Sequence, residues 1–201
     1  MPYICKNLFV AIVFAFTLFA CVDESQVDVP LEGTPYFDLK GLVEEQILLL
    51  DSLNPEVEML ATISGKEDEL TLRKDSAGWA ETLKLYVEAD LNKPVLQDQY
   101  VVIDSVIQKS NMSLKLYQAR QPDDVDIPFM KVYYQGTLSS VRRIEAFFRE
   151  ENPLYSTQRS MNLRFKEQDG QVLLAEYSTS GKQKMIFRDS ILYQNTGRIM
   201  Y

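Results

Sequence analysis

Three carboxylates, Asp123, Asp124 and Asp126, fall within four residues, and hard cations are held by such oxygen donors. The stretch lacks the glycine and the distal glutamate of a calcium loop, so it reads as a solvated acidic turn beside Pro122 and Pro128. Hydroxyls stand next to carboxylates at Asp104-Ser105 and at Asp189-Ser190. A nucleophilic serine needs a base, the chain has no histidine, and neither serine sits in a Gly-x-Ser-x-Gly elbow. Paired acids of the glycosidase type do not discriminate, because 29 acidic residues make a chance pair expected. Without histidine the common zinc sets are missing as well. These residues point to no catalytic site, no metal site and no cofactor.

Cys21 is different, because its surroundings specify a reaction. Thirteen uncharged residues, Leu8 to Ala20, follow a short segment carrying Lys6 and stop at Cys21. A bilayer span needs roughly 17 to 25 apolar residues; this run has the length of a signal-peptide core. Leu18-Phe19-Ala20-Cys21 resembles a lipobox, with Leu18 in the apolar slot and Ala20 in the small slot before the cut. Cleavage between Ala20 and Cys21 makes Cys21 the mature N-terminus and the site of diacylation, palmitate included. Two acyl chains give stable anchoring where one is marginal, since each buried methylene contributes about 0.8 kcal/mol. The membrane is thus an expected partner, through lipid on Cys21.

Charge and cysteine count narrow what the anchored part does. The formal net charge is −8, and −9 once Lys6 leaves with residues 1 to 20. Such a surface repels phosphate, which argues against nucleic acid. Cys5 leaves with the signal peptide and Cys21 is consumed by lipid, so no disulfide remains. After Cys21, residues 22 to 35 are polar, acidic and broken by Pro30, Gly33 and Pro35, a composition that cannot bury a face. They read as a tether of at most about 48 Å. The expected organisation is a signal peptide at 1–20, a lipidated cysteine and tether at 21–35, and one domain at 36–201.

Periodicity places the elements of that domain. Leu39, Leu42, Val43, Ile47, Leu50 and Leu53 recur at three and four residues and predict an amphipathic helix over Asp38 to Leu53, ended by Asn54-Pro55. Glu56 to Ile63 and Glu69 to Arg73 read as a hairpin around Gly65-Lys66. Ser76 is expected to cap a second helix whose Trp79, Leu83, Tyr86 and Val87 share a face, ending by Asn92-Lys93-Pro94. From Tyr100 the period becomes 2. It predicts strands near 101–109, 113–119, 129–135, 141–150, 156–166, 172–178, 182–187 and 190–194, with Asp169-Gly170 as a hairpin turn. Short connections force antiparallel neighbours. The expected fold is α+β: a curved antiparallel meander with the two helices of the N-terminal half packed on its concave face.

Aromatic residues are spread over the sheet, and Phe147-Phe148 must point to opposite faces of a regular strand. That leaves two readings. A solid core makes the domain a non-catalytic accessory or interaction protein whose partner is another envelope protein. An apolar cavity of a few hundred Å³ between helices and sheet makes it a tethered binding module for a lipid or other amphiphile. The element order permits the layout of the outer-membrane lipoprotein carrier and its receptor, which hold acyl chains under helices in a half-open sheet. Nothing in the residues requires a cavity, so the first reading is favoured.

Several landmarks recur together: Tyr36-Phe37, Asn54-Pro55-Glu56-Val57, Trp79 with Leu83, Ala89-Asp90-Leu91-Asn92-Lys93-Pro94, Tyr100, and Asn152-Pro153-Leu154-Tyr155. In this order they resemble a family of uncharacterised Bacteroidota outer-membrane lipoproteins, over nearly the whole mature chain. Gly78 and Thr82 depart from the charged residues expected near the tryptophan. Cys21-Val22-Asp23-Glu24 likewise resembles the acidic export signal of Bacteroidota lipoproteins, which favours the outer membrane and leaves both its periplasmic and its outer, surface-exposed face open. The resemblance implies location and single-domain organisation and brings no activity. Cys21→Ala is expected to leave the precursor uncleaved and unacylated; normal palmitate labelling of that variant would refute the anchor.

Overall fold

The computed structural model describes residues 35 to 201, so the signal peptide, Ala20, Cys21 and the tether up to residue 34 lie outside the described residues. Helix α1 spans Leu39–Leu53. Asp38 caps it by accepting the Gly41 N–H at 2.8 Å. Asn54 ends it in the left-handed region at φ 45°, its N–H bonded to the Leu50 carbonyl, and Pro55 blocks continuation. Leu39, Val43 and Leu50 are buried as the periodicity requires. Leu53 is not, because the stripe leaves the sheet at the last turn. Gln46 takes a place on the buried face that the apolar pattern does not mark.

Strands β1 (Glu56–Ile63) and β2 (Lys66–Arg73) form a hairpin around Ser64-Gly65, both at positive φ as a two-residue turn requires. Helix α2 (Ser76–Glu88) follows, with Trp79, Leu83 and Tyr86 buried. Its cap is Asp75 rather than Ser76. The carboxylate of Asp75 accepts the Gly78 N–H at 2.8 Å, and the small residue at that third helical position lies against the carboxylate.

Strands β3 (Tyr100–Val106), β4 (Ser113–Ala119), β5 (Phe129–Gln135), β6 (Thr137–Glu151), β7 (Tyr155–Gln168), β8 (Gln171–Met185) and β9 (Ile191–Met200) make a continuous antiparallel meander. The β1–β2 hairpin then pairs with β9, giving one open sheet in the order β2-β1-β9-β8-β7-β6-β5-β4-β3. The fold is α+β and mostly sheet. Seven strands follow Tyr100 where periodicity predicted eight, because 172–178 and 182–185 belong to one strand, β8, and Ile186-Phe187 fall in the turn after it. Gly181 lies between the two predicted ranges. That glycine is mid-strand instead: a Cβ there would collide with the Gln158 carbonyl oxygen and meet the Tyr193 hydroxyl at 2.7 Å.

Register shows where the core sits. Tyr117, Met130, Ala146, Met161 and Thr179 follow one another across β4 to β8 as direct partners and are all buried. Tyr177 is two residues from Thr179 and so lies on the same face. Trp79 of α2 meets Tyr177 edge-on at 6.5 Å, and Tyr36, just before α1, meets Tyr117 edge-on at 6.0 Å. Both helices therefore lie against this face. Phe147 points to the other face, where it stacks on Phe129 at 6.0 Å, while Phe148 packs against the core under Arg159. Trp79 is fully buried, and Trp79→Ala is expected to cost about 3 to 5 kcal/mol in urea unfolding. An unchanged midpoint would refute its role as the centre of the core.

Candidate functional site

The residues singled out for possible chemistry do not converge. Asp123 lies in a short 3₁₀ turn, Pro122–Asp124, and pairs with Arg149 at 2.6 Å. The same guanidinium donates to the Pro122 carbonyl at 3.0 Å, so the acidic turn already holds a cation from β6. Asp104 and Ser105 are neighbours on β3 and point to opposite faces; Asp104 pairs with Lys115 at 2.8 Å. Asp189-Ser190 belongs to the β8–β9 connection. Among the described residues no three acidic or thiol side chains gather as metal ligands.

The Asp90-Leu91-Asn92-Lys93-Pro94 stretch proves to be a clasp. The carboxylate of Asp90, itself buried, accepts the Lys40 N–H at 2.9 Å and the Asn92 N–H at 2.7 Å. The Asn92 side chain accepts the Tyr36 N–H at 3.0 Å and donates to the Phe37 carbonyl at 3.1 Å. An acidic group on the free N–H groups of a helix start is doubly favoured, by hydrogen bonding and by the helix dipole. The end of α2 thus fixes the start of α1.

Further along α1, Gln46 reaches the sheet. Its amide donates to the Val172 carbonyl at 3.1 Å and accepts the Leu174 N–H at 2.7 Å. This is where the β7–β8 register shifts between Arg164 and Phe165, leaving Ala175 as the extra residue of a bulge. A buried amide that satisfies strand backbone at a bulge is a strong positional constraint.

Between these two fixed points α1 stands off from the sheet and leaves a groove of about 720 Å³. Its apolar lining comes from Leu42, Val102, Tyr117, Leu138, Val141 and Val172, on five separate segments. Asp38, Glu45, Gln46, Lys115, Thr137, Ser139 and Gln171 stand among them as the polar groups; Asp38 is engaged by the Gly41 N–H, and the Thr137 and Ser139 hydroxyls bond each other at 2.7 Å. Lys115 is spent on Asp104 and Gln46 on the β8 backbone, so the polar groups that remain for a guest are few. A smaller recess of about 440 Å³, lined by Leu53, Arg73, Asp169 and Tyr201, lies where α1 ends beside β9.

A second surface stands out at the other end of the sheet. Ile63, Leu154, Ile186, Phe187 and Leu192 are exposed on hairpin tips, joined by Ser64 N–H to Leu192 carbonyl and Ile186 N–H to Leu154 carbonyl bonds. Phe187 is 97 % exposed and held at φ 61°. Neither surface was marked by a local sequence signal, since each is assembled from distant segments. Among the described residues, no helix is long and apolar enough to cross a membrane. Compared with known proteins, the chain matches no family model and no curated protein.

Perturbed acid–base behaviour among the described residues belongs to tyrosines and Lys74; burial is the main cause except at Tyr155, whose hydroxyl is raised by its hydrogen bond to the Glu150 carboxylate. Burial pushes the Tyr86, Tyr100 and Tyr117 hydroxyls well above the usual range, with nearby Tyr36 and Asp126 adding to the rise at Tyr100. Burial pushes Tyr177 and Tyr201 up to about 12 and lowers the Lys74 ammonium. The folded tyrosine values lie above the ordinary value of 10.0, so this stabilisation is fully present below that pH and is lost as pH rises through about 12. Urea midpoints are expected to be flat from pH 7 to 9 and to fall steadily above pH about 10. A midpoint that holds to pH 12 would show that these hydroxyls are not buried.

Proposed function

We propose that this chain is a lipid-anchored outer-membrane lipoprotein, of the uncharacterised Bacteroidota kind it resembles, whose domain is a non-catalytic binding module for a lipid or other amphiphile. The observation that carries the reading is the groove of about 720 Å³ between α1 and the sheet. Its volume falls within the range of small-molecule sites, roughly 300 to 1,000 Å³. Mixed lining supports an amphiphile over a sugar or nucleotide: apolar side chains dominate the floor, and most hydrogen-bonding capacity is taken up internally. In this reading the sheet curves around the helices, with the helix-covered face concave, and Cys21 supplies the anchor.

A second reading, an accessory protein that docks on another envelope protein, is favoured by the exposed apolar tips around Phe187. It places function at the hairpin end of the sheet and leaves the groove empty.

The test is native mass spectrometry of the chain extracted gently from the envelope, before and after organic solvent. An extra mass that solvent removes is expected, distinct from the covalent lipid, which solvent leaves in place. Leu138→Glu puts a carboxylate in the groove and is expected to cut the retained mass about tenfold, since burying an unpaired charge costs more than about 1.4 kcal/mol. A bare mass in the gentle preparation, or a retained mass unaffected at Leu138→Glu, would overturn the binding-module reading.

A further inference from the structure

The two edges of the sheet differ in kind. Strand β2, at one edge, carries Lys66, Glu67, Asp68, Glu69 and Arg73 among its eight residues, the charged guard that keeps an edge from pairing. Strand β3, at the other, is Tyr100-Val101-Val102-Ile103-Asp104-Ser105-Val106. Its single ionised side chain, Asp104, is already neutralised by Lys115. Val102, Ile103 and Val106 are exposed, Val106 by 75 %.

Hydrogen bonding fixes which backbone groups of β3 are open. The Ile107 N–H donates to the Met112 carbonyl and the Arg120 N–H to the Gln99 carbonyl, so odd-numbered residues of β3 turn toward β4. The backbone groups of Val102, Asp104 and Val106 therefore point outward. The Tyr100 N–H also points outward and is taken by the Tyr36 hydroxyl at 3.3 Å. Among the described residues no strand pairs along this edge. Three consecutive outward residues with unspent donors and acceptors form a template for one more strand.

We propose that this edge pairs with β3 of a second copy of the chain, antiparallel about a two-fold axis at Ile103, joining two nine-stranded sheets. Charge selects both the occupant and the register. Placing the axis at Asp104 sets two carboxylates directly opposite, which is destabilising. Placing it at Val102 leaves the end of the strand unpaired, whereas Ile103 is the midpoint of Tyr100–Val106 and brings the whole strand into the pairing, with Tyr100, whose N–H is already committed, at its end opposite Val106. With the axis at Ile103, Val102 faces Asp104 of the second copy and makes two hydrogen bonds, and symmetry supplies two more. Val101 then faces Ser105 of the second copy, and Ile103 faces its own equivalent. At each end, Lys109 of one copy comes to the end of the strand where the other has Asp98, so the flanking charges are opposite. The interface is isologous, as a two-fold requires. Pairing so short a strand buries less than a standard interface, so a dissociation constant above about 1 μM is expected.

Disulfide trapping of the full chain tests this. In the proposed register Ile103 and its equivalent form a non-hydrogen-bonded pair with Cα atoms about 4.5 Å apart, within disulfide reach. Oxidised Ile103→Cys is expected to yield a symmetric cross-link, two identical β3 peptides joined through the introduced thiols and identified by mass. Val101→Cys, whose equivalents are set apart by about four residues along the strand, is expected to give less than about a tenth of that yield. Adding Val102→Pro to Ile103→Cys removes an outward N–H and leaves the bonds to β4 intact. It is expected to lower the symmetric cross-link at least about tenfold with the melting temperature within a few degrees of its parent. No cross-link from Ile103→Cys, equal linking by Val101→Cys, or a link that survives Val102→Pro would each overturn the proposal. An edge filled by another protein, or by residues preceding Pro35, also leaves the thiols of Ile103→Cys unlinked.

Discussion

The buried carboxylate of Asp90 is the constraint on which the arrangement of the domain depends. It takes the Lys40 and Asn92 N–H groups, and Asn92 holds the backbone of Tyr36 and Phe37 on both sides. The bonds to Lys40, Tyr36 and Phe37 cross 50 to 56 residues of sequence and join the end of α2 to the start of α1. A charged acceptor inside the domain is tolerated because each bond is charge-assisted and the partner is a helix start, whose free N–H groups need acceptors. Without it, the first turn of α1 would present unsatisfied donors to the aromatic cluster of Tyr36, Tyr100 and Tyr117. The order of events in sequence, helix, hairpin, helix, is thereby turned into one packed layer.

From that fixed start, the geometry of the groove follows. Helix α1 is held a second time, by Gln46 on the β8 bulge, and the bulge itself is held by the Tyr201 hydroxyl on the Leu174 carbonyl at 2.8 Å. Two points define a line. Between them Gly41 and Leu42 line a space that is left beside Leu138 and Val141. Filling such space with a bulky residue would have been the simpler way to stabilise a core, because unfilled volume costs contacts. At the other helix Trp79 is fully buried against Tyr177, and Gly197 lies so close to the Tyr177 ring that a Cβ there would overlap it.

Much of the architecture could be read from local pattern. The bounds of β1, β4 and β5 match the alternation of apolar residues, and α1 begins and ends where Asp38 and Asn54-Pro55 say it should. What escaped was non-local. Pairing of β1 with β9 joins Glu56 to Met200, and no turn signal links residues so far apart. Gly181 has the local appearance of a turn and is instead a place of close approach, which only the neighbouring Gln158 and Tyr193 reveal. The groove was illegible for the same reason, since its lining comes from segments as distant as Leu42 and Val172. Gln46 looked like one more polar residue of an amphipathic helix. Its helical phase, three residues from Val43 and four from Leu50, was the signal that it faces inward.

The chain enters the described domain at Pro35, and this entry point bears on how the surfaces can work together. Pro35 and Tyr36 line the groove, and the Tyr36 hydroxyl is bonded to the first residue of β3. Groove and β3 edge therefore lie on the side of the domain to which the preceding residues attach, while the Phe187 tip belongs to β8 and β9, across the sheet. On the proposed lipoprotein reading, fourteen residues between Cys21 and Tyr36 would reach at most about 48 Å and keep that side within reach of the membrane. If that proposed anchor holds two copies in one membrane, they lose most of their relative freedom before they meet, and a weak edge pairing that is negligible between free chains becomes appreciable at the higher effective concentration. Pairing through β3 would also bring two groove mouths to the same side of one continuous sheet, since Val102 belongs both to the edge and to the lining. An unguarded edge beside an unfilled groove is thus one feature, and β2 supplies the contrast: where no use is made of an edge, five charges in eight residues close it.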